Sequence, residues 1–146
     1  MNVKIKKMHE GAVIPYKTHA EDMCYDVVAT SCEEVAANVY KYGIGLAFQI
    51  DPCGIRSSTT CITLKPRSSI WKTGMVLSNS VGTIDELYTG QVYAVFYHVM
   101  KDMPIYKVGD RVGQINLETS LSMNFTVVNE LDETARGGGG YGSTGE

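Results

Sequence analysis

Along this 146-residue chain the apolar positions come in short bursts rich in Val, Ile, Thr, Tyr and Phe, cut apart by Gly, Asp, Asn or Pro. Bursts of that length with polar punctuation mark β-strands, whereas a helix would show apolar residues at intervals of three and four. The pattern predicts strands over residues 3–7, 25–29, 45–50, 59–65, 74–77, 91–100, 111–117 and 125–129. Only the window 32–38, CEEVAAN, has helical character, and it is about two turns long. Pro104 and the KVGD segment at 107–110 punctuate the strands as turns. Short strands at this spacing predict an all-β fold, a barrel or a sandwich.

The pattern changes after Asn129. LDETA is polar, and the chain ends on RGGGGYGSTGE, more than half glycine. Glycine loses more conformational freedom on ordering than any other residue, so this ribbon cannot serve a core. It predicts a domain over residues 1–130 and a flexible tail over 131–146, either solvated or ordered only when something binds.

Composition narrows the function classes. With 44% hydrophobic and 20% charged residues the chain matches one globular domain able to bury a core. A net charge of -3 gives no electrostatic reason to expect nucleic-acid or membrane partners. No apolar run approaches the ~18 residues that span a bilayer, and the start MNVKIKKMHEG lacks the apolar stretch of a signal peptide, so a cytoplasmic protein is expected. Cys24 and Cys32, like Cys53 and Cys61, have seven residues between them, too many for a zinc knuckle. They read as buried or free thiols of a reducing compartment.

Candidate chemistry gathers around three of the four arginines. Arg67 lies in PRSS, Arg111 in GDRVGQ and Arg136 in the glycine ribbon, each beside small or amide residues that suit phosphate recognition. In the ribbon, Gly137, Gly139 and Gly142 formally satisfy GxGxxG, but the chain ends too soon for the helix that fingerprint requires. Asp85, between an apolar strand and a turn closed by Gly90, either caps that turn or acts as a general base beside a bound phosphate.

Taken together, these stretches resemble the trimeric all-β deoxyuridine triphosphatases, with five motifs in that family's order. CYDVVA at 24–29 is similar to AGYDLxA, and PRSS at 66–69 to PRSG. The segment 79–90 is similar to a motif ending GxIDxDYxG, residues 109–115 to GDRIAQL, and the tail to RGxGGFGSTG. The resemblance implies a distorted jelly-roll barrel, a homotrimer with shared sites, and Mg²⁺-dependent hydrolysis of dUTP to dUMP and pyrophosphate. Such an activity limits uracil in DNA and supplies dUMP for thymidylate synthesis.

The same resemblance implies roles. Asp85 activates water for attack on the α-phosphorus, and Asp26 holds Mg²⁺ through water. Arg67, Ser68, Ser69 and Gln114 bind phosphates. Asn79 reads the uracil edge, Gly82, Thr83 and Ile84 line its pocket, Tyr93 contacts the base through its main chain, and Tyr88 packs on deoxyribose, excluding a 2′-hydroxyl. The ribbon closes over a neighbour's site, stacking Tyr141 on uracil and placing Arg136, Gly142, Ser143 and Thr144 around the γ-phosphate end.

Departures from the pattern are Leu87, Thr89, Ser69, Gly138 and Tyr141, together with a poorly matching stretch over 31–64 that includes a longer loop near 53–60. Two other readings share the scaffold. A dCTP deaminase would need a glutamate on the strand over 91–100, QVYAVFYHVM, which has no acidic residue. A non-catalytic regulatory protein would be free to lose Asp26, Asp85, Tyr88 and Arg136.

Overall fold

The computed structural model describes residues 2–51 and 58–140. Among these, ten strands and one 3₁₀ turn follow in order: β1 (Val3–Lys7), β2 (Tyr25–Val28), β3 (Ser31–Ala36), β4 (Val39–Gly43), β5 (Leu46–Ile50), β6 (Ser58–Lys65), the turn Ser68–Lys72, β7 (Met75–Leu77), β8 (Gly82–Asp85), β9 (Tyr93–His98) and β10 (Arg111–Leu121). They form one two-stranded sheet, β1-β5, and two four-stranded sheets, β2-β10-β6-β8 and β3-β4-β9-β7. Every pairing is antiparallel. This is the expected all-β architecture.

The first four-stranded sheet explains where the chemistry lies. Side chains alternate across a strand, so register decides which residues share a face. Val27, Ile62, Leu64, Ile84, Ile115 and Leu117 point into the core. The opposite face carries Asp26, Gln114, Thr63, Asn116, Glu118, Thr83 and Asp85, by the pairings Asp26↔Gln114, Asn116↔Thr63, Thr63↔Thr83 and Cys61↔Asp85. The second sheet contributes an aromatic cluster. Tyr42, Phe96 and Tyr106 meet edge-on with centroids 5.5 to 6.1 Å apart, and the Tyr42 hydroxyl donates to the Tyr106 carbonyl at 2.9 Å.

Three expectations need correction. The window read as helical, 32–38, is mostly strand β3, paired with β4 through Cys32↔Tyr42 and Glu33↔Lys41. Its Glu and Ala favour a helix weakly, and five cross-strand pairings outweigh that preference. Residues 82–85 form a strand that was not foreseen, because Gly and Asp are depleted in strands. Residues 125–129 form none and lie exposed. Of the loop near 53–60, residues 58–60 open β6 and residues 53–57 lie outside the described residues.

Candidate active site

β8 is the edge of its sheet, so the outer backbone groups of Gly82, Thr83 and Ile84 have no ladder partner. Beside that edge lies a cup of about 280 Å³. Gly82, Thr83, Ile84 and Asp85 form one wall, Asn79 and Tyr88 enter from the turns at either end of β8, Leu64 lines it from β6, and Gln91, Val92 and Tyr93 close it from the start of β9. Seven of the residues singled out in the sequence thus meet in one place. An unpaired strand edge offers alternating N–H and C=O groups, the recognition surface that a planar, hydrogen-bonding ring needs.

Local structure fixes the cup's two aromatic residues. The Tyr88 N–H donates to the Asp85 carbonyl at 3.0 Å, closing the turn, and the Tyr88 hydroxyl donates to the Gln91 carbonyl at 2.9 Å. The ring lies over Gly90, where a Cβ would sit 2.6 Å from the hydroxyl oxygen. Tyr93 is half exposed, with Lys41 Nζ 5.3 Å from its ring centroid. Asp85, at the end of β8, is exposed to solvent.

A second cavity, about 410 Å³, is lined by Thr18, Asp22, Met23, Cys24, Asp26, Arg67 and Gln114. Asp26 is buried, and both its oxygens are engaged: Arg67 Nε donates to one at 2.7 Å and Arg111 Nη1 to the other at 2.9 Å. A buried carboxylate needs such compensation, and the second guanidinium is balanced by Asp22, whose carboxylate lines the same cavity. Gln114 Nε2 donates to the Pro66 carbonyl at 3.0 Å, tying β10 to the segment that carries Arg67. Ser69 Oγ accepts from Arg67 at 3.3 Å, while Ser68 is exposed on the turn.

Arg111 was noticed in the sequence only as one of three similar arginines; its contact with Asp26 spans 85 residues and leaves no local signal. Thr18, Asp22, Met23, Leu64, Gln91 and Val92 were likewise not foreseen as lining. Arg136 is exposed and lines neither cavity, its Nε donating to the Gly139 carbonyl at 3.0 Å within its own turn. Tyr141, Gly142, Ser143 and Thr144 lie outside the described residues.

Among the described residues no cluster of three or more His, Cys, Asp or Glu side chains offers a direct metal cage. Asp26 is a single carboxylate already held by two arginines. A lone carboxylate held in this way forms no cage of its own, and Mg²⁺, which keeps several of its waters, would meet it through one of them.

A cup along an open strand edge and a second cavity walled by Asp26, Arg67 and Gln114 thus stand on the same sheet of an all-β protein. The dUTPase family profile matches residues 10–145. The deoxyuridine 5'-triphosphate nucleotidohydrolase of Picosynechococcus sp. is 33% identical over 99% of both chains. That of Paramecium bursaria Chlorella virus 1 is 36% identical over 97% of this chain and 96% of its own. Among solved structures, a Staphylococcus bacteriophage 80alpha dUTPase with dUPNHPP superposes with a TM-score of 0.80 over 99% of both chains at 20% identity. The chain belongs to the dUTPase family.

Proposed function

We propose that this chain is a dUTP diphosphatase that hydrolyses dUTP to dUMP and pyrophosphate. The observation that carries the reading is the division of one sheet face into two half-sites, Asp85 with the cup at one end and Asp26 with Arg67 and Gln114 at the other. In this reading uracil lies against the edge of β8, with its ring hydrogen-bonding the backbone of Gly82, Thr83 and Ile84, the side chain of Asn79 and the main chain of Tyr93. Tyr88 takes the deoxyribose. Asp85 accepts a proton from water as its oxygen bonds to the α-phosphorus, the bond to the bridging oxygen of the β-phosphate breaks, and pyrophosphate leaves. Arg67, Ser68, Ser69 and Gln114 hold the phosphates, and donors fixed in advance stabilise the charge that develops on the leaving group.

Mg²⁺ would be held on the triphosphate and, through water, by Asp26; when bound it neutralises phosphate charge. Arg67 and Arg111 position that carboxylate.

The two cavities share no lining residue, which supports a site assembled from different copies in a homotrimer. The tail of a neighbouring copy would supply Arg136, Tyr141, Gly142, Ser143 and Thr144, ordering only over bound substrate. β9 carries no acidic residue, which favours phosphate hydrolysis over deamination at the base.

Pyrophosphate release with Mg²⁺ from dUTP, beside dCTP, dTTP and UTP, tests the reading: dUTP alone should turn over. Asp85→Asn should lower kcat by about 10²–10⁴-fold while nucleotide binding persists. An Asn variant as active as the original chain would overturn the assignment of the base.

A further inference from the structure

Arg67 also forms a wall of a further, open groove of about 450 Å³, together with Ser69, Lys72, Lys107, Asp110 and Arg111. Its two guanidiniums are already turned onto Asp26. The Asp110 carboxylate accepts the Lys107 N–H at 2.7 Å and closes the KVGD turn. The charges left to the groove are the ammonium groups of Lys72 and Lys107 and the single carboxylate of Asp110, which its backbone hydrogen bond does not neutralise, so the lysines exceed it by one. Both lysine side chains are exposed, and neither has an ion-pair partner among the described residues. Lys72 Nζ rests 5.5 Å from the ring centroid of Trp71, which keeps it at the groove's rim. The hydrolysis proposed above uses neither lysine.

The same chain carries the complementary charge. Glu130, Asp132 and Glu133 fall within four residues, all exposed and none ion-paired among the described residues. They precede Arg136 by three to six positions. An extended chain covers about 3.3–3.6 Å per residue, so these carboxylates lie within roughly 10–20 Å of Arg136 when the tail is stretched. If Arg136 reaches the phosphates beside Arg67, the acidic stretch comes within reach of the neighbouring groove, because Arg67 forms a wall of both.

We infer that Lys72 and Lys107 form a docking groove for the acidic segment 130–133 of a second copy of this chain, a latch that holds the tail over the phosphates. The inference rests on the reading in which the tail closes over a neighbour's site. The latch lies outside the reacting atoms, so it steadies the closed complex alike before and during reaction. It therefore acts on KM more than on kcat. Exposed ion pairs are screened by salt, so its effect is largest at low ionic strength.

The test is a charge exchange in the full-length chain, read as kcat and KM for dUTP at low and high salt, with thermal melts confirming that each variant folds. Lys72→Glu with Lys107→Glu, and separately Glu130→Lys with Asp132→Lys and Glu133→Lys, should each raise KM about three- to tenfold at low salt with kcat within about twofold. All five substitutions together should return KM to within about twofold of the original, and the differences should shrink at high salt. If the combined variant shows the product of the two losses, the lysines and the acidic segment do not meet, and the latch is overturned. Failure of the original chain to hydrolyse dUTP at all is a different result: it overturns the proposed function, and the latch with it.

Discussion

Two residues show how narrowly the cup is built. Gly90 leaves room for the Tyr88 ring, since a Cβ there would sit 2.6 Å from the hydroxyl and 2.7 Å from the adjacent ring carbon. Separations of that size force a side chain or the backbone to move. Gly90→Ala is therefore expected to lift Tyr88 from its hydrogen bond with the Gln91 carbonyl and to blur the choice of sugar. The ratio of kcat/KM for dUTP over UTP should fall by about tenfold or more, while the melting temperature changes little because the turn is exposed. Competing-substrate assays on the two proteins check this; an unchanged ratio would remove Tyr88 from the sugar's contact surface. Asp26 shows the limit of reading residues one at a time. Its place in CYDVVA was legible, but its two arginine partners are 41 and 85 positions away, and only the fold brings them together.

Among the elements, the centre of the first sheet holds a network that the sequence did not disclose. Asn116 Oδ1 accepts from Thr63 at 2.8 Å and from Lys65 at 3.1 Å, and Lys65 pairs with Glu118. These residues fasten β6 to β10, and so fix Pro66 and Arg67 relative to Gln114. The hydrogen bond from Lys65, followed by that from Asn116, holds the Glu118 carboxyl below its ordinary value. A carboxylate with a depressed folded pKa stabilises the fold above its unfolded pKa, and that contribution is lost as pH falls through the folded value. Melting temperatures followed from neutral to acid pH should therefore fall less steeply for Glu118→Gln than for the original chain. Equal slopes would mean that the ion pair contributes nothing to the sheet.

The network illustrates why the elements were only partly legible. β1, β5, β6 and β10 followed from short runs of β-forming residues bounded by turn residues, whether the strand is mostly exposed, as β1 is, or mostly buried, as β5 is. β8 did not, because GTID has only one large apolar residue and is held by its pairing with β6. β3 did not either, since all six of its residues are exposed and nothing in its pattern marks an inner face. The candidate site was more legible than these strands. Its residues stand in short motifs near turns, where Asp85, Tyr88 and Asn79 are close in sequence as well as in space.

At the scale of the whole molecule, one feature makes little sense in a chain standing alone. From the last residue of β10 through residue 131 the chain exposes Leu121, Met123, Phe125, Val127 and Leu131, all five at 72% or more of their surface. Met123, Phe125 and Val127 alternate with polar or smaller positions in the period of a strand, yet no strand pairs with them here. This is why the expectation of a strand over 125–129 failed: the run is rich in β-formers, but a strand needs a partner, and none of the described residues supplies one. A contiguous apolar arm facing water costs free energy that burial against another copy recovers, at about 25 cal/mol per Å² of apolar surface. The arm leads directly into the acidic segment and Arg136, so a copy that receives the arm also receives the tail. Replacing Phe125 and Val127 together by Asp puts two charges on that face while leaving both cavities untouched. If the proposed homotrimer forms through this arm, sedimentation should then show a shift from trimer toward monomer at micromolar concentration, with dUTP turnover falling in the same proportion as the trimer is lost. A variant that stays trimeric would exclude the arm from the interface, and a fully active monomer would overturn the shared site itself.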